Sequence, residues 1–152
     1  MVHDFKNFPE LPNGKFDTEY FNSPHKQITE DIMATVVKVH DGDTITLHWD
    51  ERDFDFPMRV VNIDAPELNE DGGHESRDHL KDFVEGALVQ IIIDPDNRVE
   101  KWGRLLGDII HRGMLVSEHQ LFTNNAKLFE DRNLDELTNI QKEFNPKRWL
   151  TQ

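Results

Sequence analysis

Between residues 34 and 49 apolar and polar side chains alternate twice around a short break. "TVVKVH" and "TITLHW" flank "DGD", and Asp-Gly between alternating segments marks a tight hairpin because glycine accepts positive φ in the turn. Val37 and Val39 are expected on one face of the first strand, and Ile45, Leu47 and Trp49 on one face of the second. After the charged turn "DERD" a third strand is expected over residues 54–63. In "MRVVNI" the alternation sets Arg59 with Val61 and Ile63, opposite Met58, Val60 and Asn62. From about His74 to Leu88 the period lengthens. Leu80, Phe83, Val84, Ala87 and Leu88 fall at i, i+3, i+4, i+7 and i+8, the apolar stripe of a helix. "LVQIII" and "GRLLGDII" return to strand. "SEHQLF" predicts a short helix and "NLDELTNIQKEF" a longer one, with Asn133 as cap, Glu136 three residues on, and Leu137, Ile140 and Phe144 along its stripe.

Five strands with a helix between the third and fourth predict an α+β, mainly β fold. The expected architecture is a five-stranded Greek-key barrel of the oligonucleotide/oligosaccharide-binding (OB) type with two to three packed helices. Residues 1–33 contain Pro9, Pro12, Pro24 and Gly14 and show neither period, so they predict an irregular N-terminal arm. The barrel domain is expected over 34–145, followed by a tail at 146–152. Phe5, Phe8, Phe16, Tyr20 and Phe21 make the arm more aromatic than a solvated tail. Those rings are expected to dock, either on the domain's own surface or on a protein partner or second copy.

Composition narrows the function. A chain of 152 residues has room for one core. Lys plus Arg number 17 against 30 Asp plus Glu, a formal net charge of −13. That argues against a protein that coats DNA or RNA through many phosphate contacts. It leaves room for an enzyme that meets phosphate at one point through a metal. Without cysteine, neither a disulfide framework nor a thiolate zinc site is available. The N-terminus lacks a basic start followed by an apolar run, and no stretch approaches a membrane span, so the chain reads as soluble and intracellular, with no membrane partner. The eight histidines read as structural or surface residues; His74 and His79 are poorly spaced for two ligands on one helix face.

Four carboxylates and two arginines remain. Asp41 and Asp43 lie in the first turn, Asp64 and Glu67 close the third strand, and Arg59 and Arg104 sit on two strands. In one barrel these can converge. Crowded carboxylates favour a hard divalent cation, and guanidinium suits a phosphate whose charge grows during reaction. Together they are the parts of a phosphodiester hydrolase.

"VVKVHDGDTITL", "MRVVNIDAPE", "GHESRDHLKDFV" and "EKWGRLLGDIIHRGMLVSEHQL" resemble, in order and spacing, the motifs of the staphylococcal nuclease-like (thermonuclease) family over residues 34–121. The resemblance implies a calcium-dependent phosphodiesterase acting on DNA and RNA, with magnesium or manganese as other candidate ions. It implies Asp43 and Asp64 as side-chain metal ligands, with Ala65 ligating by its backbone carbonyl. Glu67 becomes the general base that takes a proton from the attacking water or orients it. Arg59 and Arg104 become the phosphate-binding catalytic residues. Asp41, Lys101 and Trp102 lie near the metal and substrate. The chain departs from the family where a glycine and base-lining tyrosines are expected: it reads "FTNNAKLFEDRN". Its acidity also predicts weaker binding to long polyanions. The alternative is a nuclease-like barrel serving as a binding or structural subunit of a larger assembly, such as a phage particle.

Overall fold

A computed structural model describes residues 3–13 and 20–129. Phe16, the helix predicted over 133–144 and the tail at 146–152 lie outside the described residues. Strand β1 (Ile32–Asp41) turns through Gly42 and Asp43 into β2 (Thr44–His48), pairing Asp41 with Thr44. Strand β3 (Phe56–Val60) continues the antiparallel sheet, and β5 (Leu88–Ile92) and β6 (Leu105–His111) extend it from the other edge of β1. A parallel pairing of β3 with β6 closes these five strands into a barrel, which removes open sheet edges. Ile45, Leu47, Phe56, Met58, Leu80, Ile91, Leu105 and Ile109 fill the interior. The OB-type architecture read from the sequence is the one observed, with two helices among the described residues: α1 (Gly73–Val84) and α2 (Val116–Phe122). Between β6 and α2 lies the short β7 (Met114–Leu115).

Three local expectations are corrected. Val37 and Val39 do not share a face: a register shift between Val36 and Lys38 turns Val36 and Val39 inward and leaves Val37 exposed, as a bulge does by inserting an unpaired residue. The third strand does not run unbroken through residue 63. Asn62 adopts φ 66, a conformation asparagine tolerates. The next pair of residues forms β4 (Ile63–Asp64), which pairs with β8 (Lys127–Leu128). That break puts Ile63 in the core with Met58 and Val60 rather than on the face of Arg59. The helix stops at Val84 because the chain turns at Gly86 (φ 84); Leu88 therefore belongs to β5 and is exposed.

Residues 3–13 and 20–31 pack on the barrel. Leu11 and Ile28 are fully buried, and Gln27 ties the segment to itself by accepting from Leu11 N (2.8 Å) and donating to Pro9 O (2.9 Å). Glu10 enters the interior, where its carboxylate meets Arg52 Nη2 at 2.5 Å and Arg98 Nη1 at 3.7 Å. Arg52 also packs its guanidinium over Phe54 and Phe56 and donates to Lys26 O. Burial pulls both arginines below their ordinary pKa, and the Glu10 charge works against that. No helix among the described residues is long and apolar enough to cross a membrane.

Candidate active site

The β1–β2 turn is built to hold Asp43. Asp43 N donates to Asp41 Oδ1 (3.1 Å), closing the turn on its own side chain. Gly42 has no space for a β-carbon, which would come within 1.8 Å of Ser76 Oγ on α1 and 2.7 Å of Ala65 Cβ. From α2, fully buried Gln120 donates from Nε2 to Gly42 O (3.0 Å) and accepts from His79 Nδ1 (3.0 Å). The turn is thus clamped between both helices and the β4 end.

Inside this clamp the predicted residues meet. Asp43 Oδ2 accepts from Ala65 N (2.8 Å) and from Arg59 Nη2 (3.3 Å). The same Nη2 lies 3.6 Å from Asp64 Oδ1 and donates to Ile63 O (3.0 Å), while Nη1 donates to Val60 O (3.1 Å). Arg59 is only 8% exposed, so its guanidinium sits between two carboxylates in a largely dry setting. Thr44 Oγ1 donates to Asp43 Oδ1 (3.1 Å) and accepts from Arg104 Nη1 (3.3 Å), linking the second arginine to the same group. Arg104 is held by Glu100 through Nε (2.9 Å) and Nη2 (3.2 Å). The Glu100 hydrogen bond, followed by the charges of Glu100, Asp43 and Asp41, raises its pKa above the usual value against the opposing effect of burial.

Asp43 is pushed up to about 6. Burial is the main cause, the Asp41 hydrogen bond and charge add to it, and Arg59 and the Ala65 N–H oppose it. Burial thus outweighs the guanidinium beside it, and Asp43 holds its proton above the ordinary carboxylate range. Carboxylate oxygens from Asp43 and Asp64, with the neighbouring Ala65 carbonyl, are hard donors, right in kind for a divalent cation. Among the described residues no group of three or more His, Asp or Glu is arranged to hold a metal ion, so a cation here would rest on two carboxylates and a carbonyl.

Asp41, Asp43, Arg59, Asp64, Ala65 and Arg104 therefore form one connected set. Glu67, Lys101 and Trp102 flank it and are exposed. Glu67 lies in the loop after Ala65, where its N donates to Glu70 Oε1 (3.0 Å). Lys101 Nζ rests 5.2 Å from the centroid of Trp102, itself 68% exposed.

Sequence reading missed three contributors. Gln120 is polar but lies four residues after Val116, on the buried side of α2; that spacing was the available signal. Glu100 is four residues before Arg104. Phe129 places its ring 5.2 Å from the Arg59 guanidinium carbon and donates from N to Asn62 O (3.1 Å). It lies in the segment where the resemblance fails. In the same segment Asn124 takes φ 60.

A closed five-stranded barrel with carboxylates and two arginines gathered at one hairpin defines the class as an OB-type domain. Over 106 residues the chain is 38% identical to proteins named uncharacterized endonuclease from Escherichia coli O157:H7 and from Escherichia coli, covering 69% of this chain and 66% of each of those. It is 35% identical over 66 residues to staphylococcal-like nuclease CAN1 of Arabidopsis thaliana, covering 43% of this chain and 20% of that one. It is 32% identical over 75 residues to probable staphylococcal-like nuclease CAN3 of Oryza sativa subsp. japonica, covering 49% and 19%. The chain belongs to the staphylococcal nuclease-like family. The aligned stretch is just under two thirds of the bacterial relatives' length. No family model matches the chain.

Proposed function

We propose that the chain hydrolyses phosphodiester bonds of DNA or RNA with the help of a divalent cation. The observation that carries this reading is the connected set itself: two arginines reach one hairpin through Asp43 and Thr44, although Arg59 and Arg104 come from different parts of the barrel. Asp43, Asp64 and the Ala65 carbonyl would hold calcium, or magnesium or manganese. The ion's chemistry would be to draw charge from the phosphate oxygens. Arg59 and Arg104 bind the scissile phosphate and offset its charge as it grows. Glu67, exposed beside the set, accepts the proton of the attacking water or orients that water. Asp41 keeps the hairpin closed around Asp43, and Lys101 and Trp102 lie where the flanking nucleotide passes.

The test is cleavage of end-labelled single-stranded DNA and RNA with calcium, magnesium or chelator. Glu67→Gln and Arg104→Ala are each expected to lower the rate about 100-fold or more, Glu67→Gln with the unfolding midpoint unchanged. Wild-type protein that cuts neither substrate in any metal would overturn the reading and favour a barrel used only as a scaffold.

A further inference from the structure

The N-terminal arm lies outside the family motifs, yet three of its contacts fall on one loop of the barrel. Residues 98–104 lead from β5 to β6 as a tight excursion. Leu106 N donates to Arg98 O (2.7 Å), Glu100 N to Arg104 O (2.9 Å) and Gly103 N to Glu100 O (2.9 Å). This loop carries Lys101 and Trp102 and ends at Arg104. The arm grips it at three places. Asn13 Oδ1 accepts from both Arg98 N (2.9 Å) and Val99 N (3.1 Å), and Asn13 Nδ2 donates to Val99 O (3.0 Å). One side chain thus takes both backbone groups of Val99 on the edge opposite Leu105, as an added strand would. Glu10 holds the Arg98 guanidinium from below. The Phe8 ring covers Gly103, where a β-carbon would come within 2.7 Å of Phe8 Cδ1 and where φ is +88, so Gly103 is fixed both by its backbone and by the ring lying on it.

The arm's own shape is set to make these contacts. Phe8 N donates to Asp4 O (3.0 Å), and Asn7 N and Lys6 N both donate to Asp4 Oδ1, forming a turn that presents the ring. A cleft of about 70 Å³ remains between Phe8, Phe56, Trp102 and Arg104.

We propose that the arm is a working part of the active site, with Asn13 and Phe8 as positioning residues that fix the 98–104 loop and thereby aim Arg104 at the phosphate. This rests on the nuclease reading. Rates depend on placement to a fraction of an ångström, and Arg104 is one residue beyond the glycine that Phe8 covers. Neither positioning residue touches the reacting atoms, and neither is needed for the core. Asn13 is exposed and Phe8 is 46% exposed.

The test is a double-mutant cycle in the full chain. Asn13→Ala and Phe8→Ala are each expected to lower kcat about 10-fold or more, with KM for single-stranded DNA changed less than about 2-fold. In an Arg104→Ala background both are expected to lose most of that effect, because the arm acts through Arg104. Undiminished losses in that background, or full activity in the single variants, would overturn the proposal. Amide hydrogen exchange separates it from the nuclease reading. In Asn13→Ala the amides of Gly103 and Leu106 should exchange about 10-fold faster while those of α1 are unchanged. If the wild type cuts nothing, the nuclease reading fails, and unchanged exchange at those two amides would still reject the arm's hold on the loop.

Discussion

The protein contains two clusters of arginine and carboxylate that are built to opposite proportions. At Glu10, two guanidiniums close on one carboxylate, and all three side chains are nearly sealed from water. At the β1–β2 hairpin, the carboxylates of Asp43 and Asp64 share one guanidinium, Asp41 adds a third negative charge, and Arg104 is already tied to Glu100. In the first cluster burial works against the charged arginines and Glu10 supports them. In the second, burial and Asp41 work against Asp43, and Arg59 does not fully offset them. The first is a closed rivet between arm and barrel. The second gathers three carboxylates around one guanidinium, a proportion that suits the proposed cation.

The comparison can be broken most sharply at Glu10. Glu10→Ala leaves two buried guanidiniums facing each other, and removing one partner of a buried pair costs about 3–5 kcal/mol. The unfolding midpoint is then expected to fall by about 10 °C. A loss below about 1 kcal/mol would rank the cluster with surface pairs.

Asp43 should respond in the opposite direction. Its folded pKa of about 6 stands above the ordinary 3.8, so the folded state keeps the proton longer than the unfolded one. The ionised carboxylate therefore costs nothing below the unfolded value, and its cost grows as pH rises and is complete above about 6. In chelator, Asp43→Asn is expected to be near neutral at pH 4 and stabilising by on the order of 1–3 kcal/mol at pH 8, read from urea unfolding. The same substitution should abolish the proposed cleavage. A variant less stable at both pH values would make Asp43 a rivet like Glu10.

The smallest effect calibrates the other two. Lys26 and Glu51 approach to 3.1 Å with both side chains about half exposed. Glu51→Ala is expected to change stability by less than about 0.5 kcal/mol and to be insensitive to added salt thereafter. A larger loss would mean that distance, rather than burial, sets the worth of ion pairs in this protein.

What could be read from the chain in advance follows from the range of the interactions involved. The hairpin at Asp41–Asp43, the Leu80 and Val84 stripe of α1 and the inward Arg59 announce themselves within a few residues, because alternation and helical spacing are local signals. The bulge beyond Val36 and the break at Asn62 do not: both are single-residue departures from the strand period, tolerated because a bulge or a left-handed asparagine fits the barrel's curvature. Glu10 gave no signal at all, since its partners Arg52 and Arg98 are distant in sequence and the arm has no period to follow. Among the site residues, Asp43, Arg59 and Asp64 stood out as charges beside apolar positions. Gln120 and Phe129 did not, as one is an uncharged residue on a short helix and the other follows the segment where the motifs end.

The parallel seam that closes the barrel pairs Met58 with Leu105 and Arg59 with Leu106. Such a pairing joins distant stretches of chain and can form only after the intervening loop has closed, which makes it a slow event in folding. Both arginines of the site are carried at that seam. Until that seam closes, Arg59 and Arg104 are not brought to the same hairpin. Recovery of the proposed cleavage during refolding would thus report the closure of the barrel rather than the return of secondary structure.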